Sequence, residues 1–168
     1  MRLDELNHCD RAEFVAALGG IFEHSPWIAE RACAARPFAT VDALHRAMVE
    51  AVHAAPEDAR LALIRAHPEL AGKAAIRGEL TADSTQEQAG AGLSQCSPEE
   101  FERLTALNTT YNAKFGFPFI LAVKGHDRAS ILREFARRVE RDRAVEFDEA
   151  LAQIARIARF RLDAVVRG

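Results

Sequence analysis

The stretch GFPFILAVKG, from Gly116 to Gly125, is the one part of this chain that reads as a β-strand. Its centre, residues 117–123, is the longest uninterrupted apolar run in the sequence. A single strand has no partner with which to form a sheet, and the rest of the chain is patterned as helix. We therefore expect a buried extended segment at about 117–123, whose backbone polar groups are satisfied by something other than a sheet.

Helix-start signals recur along the rest of the chain. Asp10 with Glu13 and Ser97 with Glu100 have the spacing of capping boxes, and Thr40 can cap a helix that reaches about residue 54. Alanine, leucine, arginine and glutamate dominate the composition, which favours helix over sheet. Further helices are expected over about 57–66, 128–141 and 143–166. The pattern as a whole predicts an all-α fold.

No internal repeat or low-complexity linker divides the sequence. Its 168 residues are enough for one domain with a sizeable core, so we predict a single compact domain of roughly eight helices over residues 1–168. The formal net charge is −3 and arginines are interleaved with acids, which argues against a nucleic-acid partner. The longest apolar run is far too short to span a bilayer, so no membrane partner is expected.

The three cysteines, Cys9, Cys33 and Cys96, are widely spaced and form no CxxC motif. An odd count at such spacing argues against a disulfide scaffold and favours a reducing compartment. The first ten residues, MRLDELNHCD, carry acids where a secretion signal needs an apolar core. We therefore expect a cytoplasmic protein.

A histidine directly before a proline, His67-Pro68, ends an apolar helical pattern in RAHPELAGKAA. A residue before proline is pushed out of the helical conformation, so His67 leaves the preceding helix and Pro68 can open the next one. An imidazole has an unperturbed pKa of about 6.5 and can exchange protons at neutral pH. His67 is thus a candidate acid or base, although a histidine at this place can also cap a helix or bond a carbonyl.

A second candidate lies in the stretch LTADSTQEQAGAGL. Ser84 and Glu87 have the spacing of a capping box, so Glu87 can simply cap the amide of Ser84. Yet Gln88 follows, and the glycines at 90 and 92 weaken a helix and suggest close approach by another segment. A helix start at Ser84 would also offer free amides to an anion. The segment Ser84 to Gln88 is therefore a candidate pocket wall as well as a cap.

A third candidate is Arg161, which falls on the apolar stripe of the last predicted helix. Arginines rarely face a core unless they are paired. Arg161 can be an edge residue that reaches solvent, or a cation that meets an anionic ligand or Glu87. The stripe itself comprises Phe147, Leu151, Ile154, Ala158, Leu162 and Val165.

No recognised metal or nucleotide motif accompanies these candidates. The sequence lacks HExxH, HxH and any histidine–cysteine cluster at ligand spacing, and it has no GxGxxG, Walker loop or GxSxG. We therefore expect no metal site and no obligate nucleotide or covalent serine mechanism.

Several motifs stand in order along the chain: FEHSPWIAERA, RPF, IRAHPELAGKAAIRGELTADSTQEQAGAGL, LNTTYNAKFGFPFILAVKG and the terminal IARIARFRL. Together they resemble one family, the OHCU (2-oxo-4-hydroxy-4-carboxy-5-ureidoimidazoline) decarboxylases. The resemblance covers nearly the whole chain in order and spacing. It implies an all-helical, cofactor-free and commonly homodimeric enzyme that converts OHCU to (S)-allantoin and carbon dioxide, the last step from urate.

The resemblance also implies roles for individual residues. His67 is the expected catalytic acid or base, and Glu87 is expected to polarise or orient His67 or the ring nitrogens of the substrate. The substrate-binding residues implied are Pro68, Ser84, Thr85, Gln86, Glu87, Gln88, Phe119, Ile120, Leu121, Ala122, Val123 and Arg161.

The resemblance makes urate oxidase and hydroxyisourate hydrolase the functional neighbours of the protein. Two other interpretations stay open. One is a non-catalytic helical binding module of the same fold. The other is a cofactor-free lyase that acts on a related ureido or imidazolone compound.

Overall fold

The computed structural model describes the backbone of residues 1–168 and every side chain except that of residue 74. The fold is all-α, as predicted, and the described residues form no β-strand beyond an isolated bridge between Arg2 and Arg167. The short helix Leu3–His8 was not predicted, and the helix that Pro68 was expected to open begins only at Lys73. The helices are α1 (Leu3–His8), α2 (Arg11–Leu18), α3 (Trp27–Ala32), α4 (Val41–His53), α5 (Glu57–Ala66), α6 (Lys73–Ile76), α7 (Ala82–Gly90), α8 (Pro98–Phe115), α9 (Arg128–Arg138) and α10 (Arg143–Val165).

The predicted caps explain where several helices begin. The hydroxyl oxygen of Thr40 accepts a hydrogen bond from the amide of Ala43 at 3.1 Å, and α4 follows. Ser97 and Glu100 exchange both bonds of a capping box, at 3.1 and 3.0 Å, before α8. These contacts satisfy amides that a helix start leaves unpaired.

The chain divides into two compact units. The first comprises Met1–Ala66 and Ile154–Gly168, and the second comprises His67–Gln153. The prediction of a single domain over residues 1–168 stays a prediction. The core of the first unit is aliphatic and aromatic, and its fully buried side chains include Leu6, Phe14, Leu18, Phe22, Ile28, Leu44 and Met48.

The core of the second unit is built around the ring of Tyr111 in α8. Its ring centroid lies 4.4 Å from that of Phe115, 5.5 Å from that of Phe119 and 5.8 Å from that of Phe135. Phe119 and Phe135 stack with centroids 3.9 Å apart. Residues 117–123 are all buried and join no helix or strand, which confirms the buried segment predicted from the apolar run. Aromatic packing on α8 and α9 thus holds this segment inside the unit.

Candidate active site

His67 lies immediately after the last residue of α5, as its place before proline predicts. The side chain is only 7% exposed. Pro68 does not open a helix, because α6 begins only at Lys73. Residues 67–72 therefore form a loop between two helices, which we call the histidine loop.

Hydrogen bonds from neighbouring helices hold the histidine loop. The amide oxygen of Gln88 accepts from the backbone N–H of Ala71 at 3.0 Å, and its amide nitrogen donates to the carbonyl of Glu69 at 3.2 Å. Asn108 donates to the carbonyl of Leu70 at 3.0 Å. Ala71 has a φ of 50°, an unfavourable conformation for alanine, and the bond to Gln88 helps to keep it there.

A further contact ties the loop to α8. The side-chain amide of Asn112 donates to the carboxylate of Glu69 at 2.6 Å and to the carbonyl of Asn108 at 2.9 Å. Asn108 and Asn112 are four residues apart and share one face of α8. The position of the loop that carries His67 is therefore set by amide side chains on α7 and α8.

Helix α7 begins one turn earlier than predicted. Its cap is Thr81, whose hydroxyl oxygen accepts from the amide of Ser84 at 3.2 Å. The predicted cap at Ser84 is wrong because Thr81 supplies the same chemistry three residues upstream. The amide of Ser84 is consequently bonded within the helix, so the expected free amides for an anion do not begin there.

Because Ser84 lies inside α7, the predicted segment 84–88 has two faces. Ser84 and Gln88 are buried and Glu87 is half-buried, in agreement with spacings of three and four residues on one face. Thr85 and Gln86 are exposed. The helix therefore turns Ser84, Glu87 and Gln88 towards the interior of the second unit.

The glycines after this segment serve different purposes. A methyl group on Gly90 would meet no described atom within 4 Å, so the predicted close approach is wrong there. Gly92 has a φ of 80°, which favours glycine, and its carbonyl accepts from the guanidinium of Arg128 at 3.2 Å.

A cavity of about 560 Å³ borders α7 and the start of α8. Of the predicted site residues, Thr85 and Gln88 line it, whereas His67 and residues 119–123 do not. Its other walls are largely apolar and comprise Ala71, Ala75, Ile76, Gly78, Leu80, Ala89, Leu93, Ser94, Cys96, Ser97, Pro98 and Phe101.

The predicted segment 119–123 is bonded to side chains of α9 and α10. The guanidinium of Arg138 donates to the carbonyl of Ile120 at 2.7 Å and lies 4.4 Å from the centre of the Phe119 ring. The amide oxygen of Gln153 accepts from the N–H of Ala122 at 3.0 Å. Part of the segment's backbone is thus satisfied by side chains, which is the substitute for a sheet that the sequence required.

Arg138 belongs to a buried polar cluster. The carboxylate of Glu146 accepts from the guanidinium of Arg138 at 2.9 Å and from the hydroxyl of Tyr111 at 2.6 Å, and it lies 3.1 Å from the guanidinium of Arg141. Arg138 and Glu146 are both fully buried. Burial, together with the bond to Glu146, raises the pKa of Tyr111 well above its usual range, so its hydroxyl stays a donor.

The histidine loop and the buried segment meet the same helix. The buried face of α8 carries Leu104, Asn108, Tyr111 and Phe115. Asn108 holds the loop, and Tyr111 packs against Phe119 of the segment. This face of α8 therefore brings two of the predicted site segments together within the second unit.

Arg161 lies in the first unit and is buried. Its guanidinium forms a salt bridge of 2.8 Å with the carboxylate of Glu23, and the two side chains are 5% and 2% exposed. It also donates to the carbonyl of Ile21 at 3.4 Å. The interpretation of Arg161 as an edge residue that reaches solvent is therefore wrong, because the side chain is buried and paired. Its partner Glu23 was not indicated by the sequence, and the expectation that Arg161 meets an anionic ligand or Glu87 stays a prediction.

The family model described as OHCU decarboxylase matches residues 7–163. The chain belongs to the OHCU decarboxylase family.

Relatives of this OHCU decarboxylase family member cover almost all of the chain. It is 44% identical over 164 residues to the uric acid degradation bifunctional protein PucL of Bacillus subtilis, which covers 98% of this chain but only 32% of that protein. It is 43% identical over 162 residues to the 2-oxo-4-hydroxy-4-carboxy-5-ureidoimidazoline decarboxylase of Haloferax volcanii, covering 96% of this chain and 94% of that one. The crystal structure of (S)-allantoin synthase superposes with a TM-score of 0.79 at 30% identity, over 99% of this chain and 54% of that chain.

Some buried polar residues of this OHCU decarboxylase family member were missed by sequence reasoning. Arg138 could have been found by the test that singled out Arg161, because it continues the apolar stripe of α9 through Ile131 and Phe135. Asn108 could have been found in the same way, because it lies on the buried face of α8 with Leu104 and Tyr111. Glu23 and Gln153 gave no comparable signal. Their partners are distant in sequence, so only the folded chain identifies them.

The described residues contain no group of three or more histidine, cysteine, aspartate or glutamate side chains arranged to hold a metal ion. Among the described helices, none combines the length and the apolar character needed to cross a membrane.

Proposed function

We propose that this chain is a carboxy-lyase that converts OHCU to (S)-allantoin and carbon dioxide. The observation that carries the proposal is a buried histidine on an anchored loop, in a member of this family. His67 is 7% exposed, and the oxygen and the nitrogen of the Gln88 side-chain amide both form hydrogen bonds with the histidine loop. A positioned imidazole of this kind is suited to proton transfer.

The chemistry of OHCU supports a mechanism without an external electron sink. The carbon that bears the carboxylate and the hydroxyl is adjacent to a carbon–nitrogen double bond. When the bond to carbon dioxide breaks, its electron pair forms a carbon–carbon double bond, and the former π pair moves to the ring nitrogen, which takes up a proton. The product is an enol, which must lose its hydroxyl proton and gain a proton on the neighbouring carbon to give allantoin.

We assign the proton transfers to His67, which either handles the hydroxyl proton during decarboxylation or delivers a proton to the enol. Glu87 lies on the inward face of α7 and would orient His67 or the ring nitrogens. Delivery from one face would make the product a single enantiomer, because a fixed donor reaches only one side of a planar enol. Positioned proton transfer is typically worth about 10²–10⁴-fold in rate.

Substrate binding is assigned to the remaining predicted residues. Pro68, Ser84 and Gln88 would face the substrate from the histidine loop and α7, and residues 119–123 from the buried segment. The burial of that segment supports the proposal, since a dry wall disfavours a localised carboxylate relative to a transition state with diffuse charge. Thr85 and Gln86 are also proposed to bind the substrate, although both are exposed. Arg161 is the proposed cation for an anionic part of the substrate.

We further propose a homodimer that works in the cytoplasm. Its substrate would be supplied by urate oxidase and hydroxyisourate hydrolase. The chain spans about a third of the Bacillus subtilis bifunctional protein, so the other activity of that protein is not assigned to it.

The test uses OHCU freshly generated from urate with urate oxidase and hydroxyisourate hydrolase. We expect this protein to accelerate the ultraviolet decay of OHCU while a circular dichroism signal of (S)-allantoin grows. His67→Ala should reduce turnover by about 10²–10⁴-fold. His53→Ala, at an exposed position at the end of α4, is the matched control and should retain full activity.

Either of two results would favour another function over the proposed one. Decay at the spontaneous rate to racemic allantoin would indicate the non-catalytic binding module. Equal turnover of an analogue without the carboxylate would indicate a lyase for a related ureido compound.

A further inference from the structure

The backbone of the buried segment has two edges that differ in their partners. The carbonyl of Ile120 accepts from Arg138, and the N–H of Ala122 donates to Gln153. In an extended chain the N–H and C=O of one residue point to the same side, and those of the next residue point to the opposite side. The even-numbered edge is therefore held by two long side chains of the protein.

The odd-numbered edge is not held in this way. Phe119 and Leu121 are 1% and 6% exposed, and their backbone N–H and C=O groups have no hydrogen-bond partner among the described residues. Val123 lies at the end of this edge, where its carbonyl accepts from the N–H of His126 at 2.9 Å. Buried backbone groups are nearly always paired, so this edge is suited to a ligand with amide donors and acceptors.

The two side chains that hold the even-numbered edge are themselves fixed. The amide nitrogen of Gln153 donates to the carboxylate of Glu149 at 3.2 Å, one turn earlier in α10, which directs its oxygen to the segment. Arg138 is fixed by its bond to Glu146 and by the face of the Phe119 ring. Neither side chain can rotate without losing a second contact.

We propose that Gln153 and Arg138 are positioning residues for substrate recognition. They fix the even-numbered edge, and this presents the backbone of Phe119 and Leu121 to the cyclic amide edge of an imidazolone substrate. The role rests on the proposed function, because it assigns the segment to the same substrate. It adds two residues on α9 and α10 that touch the segment and act through it.

The experiment compares steady-state OHCU turnover of the wild type, Gln153→Met and the double variant Glu149→Gln/Gln153→Glu. Methionine keeps the length of Gln153 but removes the acceptor, so KM should rise about tenfold, the equivalent of losing roughly one hydrogen bond. The kcat should change by less than about threefold, since His67 is untouched. The double variant exchanges the amide and the carboxylate, retains an acceptor for Ala122, and should return KM to within about twofold of the wild type.

A purely structural role would change the unfolding midpoint and the active fraction, and therefore kcat, while KM stayed constant. An unchanged KM in Gln153→Met, or a KM that the double variant does not restore, would overturn the positioning role. If Gln153→Met does not fold, Arg138→Lys replaces it, because lysine keeps the charge but cannot reach Ile120 and Glu146 together; the same rise in KM is required. A wild type without OHCU turnover would instead overturn the proposed function.

Discussion

The histidine loop and the buried segment at 117–123 are held by different chemistry. The loop is tied by neutral amides, chiefly Gln88 and Asn108. The segment is tied to a fully buried ion pair, Arg138 with Glu146. A neutral hydrogen bond contributes about 1 kcal/mol net, whereas breaking a buried ion pair leaves a charge without compensation. We infer that the segment is the rigid wall of the proposed site and that the loop, which carries the proposed proton-transfer residue His67, is its more adjustable part.

The largest loss of stability should come from breaking the ion pair that holds the buried segment. Arg138→Met removes the partner of Glu146 and the donor to Ile120. We expect the free energy of unfolding to fall by about 3 kcal/mol, the lower end for a broken buried pair because Arg141 still lies beside Glu146. Chemical denaturation followed by circular dichroism measures the loss.

The neighbouring residue supplies the control. Arg137 is paired with Glu134, but its side chain is 56% exposed. Arg137→Met should change the unfolding free energy by no more than about 1 kcal/mol. Equal losses for the two variants would contradict the view that burial of the ion pair makes the segment rigid.

A smaller effect should come from crowding the histidine loop. A methyl group on Gly72 would lie 2.6 Å from Cβ and 2.9 Å from Oε2 of Glu69, whose carboxylate also binds Asn112. We expect Gly72→Ala to lower the unfolding free energy by about 2 kcal/mol, within the range for overpacking. Gly90→Ala meets no described atom within 4 Å and should be neutral or stabilising by up to about 1 kcal/mol. Thermal denaturation of both variants tests the expected difference in sign.

The same two regions separate what the sequence could predict from what it could not. The proline at position 68 correctly predicted that α5 ends before His67, and the apolar run correctly predicted the buried segment. Each of these signals depends only on residues that are close together in the sequence. The cap of α7 was misplaced by one turn, since Thr81 and Ser84 compete for one role and local chemistry does not choose between them. The bonds of Gln153 to residue 122 and of Asn108 to residue 70 join positions 31 and 38 apart. The periodic pattern of apolar residues does not indicate which distant residues form such pairs.

The next largest loss of stability should be confined to the histidine loop. Asn108→Leu removes the donor to the carbonyl of Leu70 but also removes a buried amide oxygen that has no partner among the described residues. The two changes partly offset each other, so we expect a loss of only about 1 kcal/mol. Hydrogen exchange should accelerate at residues 69–71 and stay unchanged at 119–123. The exposed neighbour Thr109→Ala should alter neither stretch, and faster exchange at both in Asn108→Leu would show that they open as one unit.

The smallest predicted change in stability is absent at neutral pH and appears only at alkaline pH. It comes from Tyr111, which packs against the buried segment. Tyr111 is the single tyrosine, so the absorbance of its phenolate can be followed alone. Its pKa is raised in the folded state, whereas in the unfolded chain it should be about 10. Above that pH the unfolded chain releases a proton that the folded chain retains, so stability falls as the pH rises. We expect no phenolate until the protein unfolds, and a titration near pH 10 in denaturant as the control. Gradual ionisation of the folded protein near pH 10 would mean that Tyr111 does not donate to a buried Glu146, and that the buried segment is less rigid than its ion pair implies.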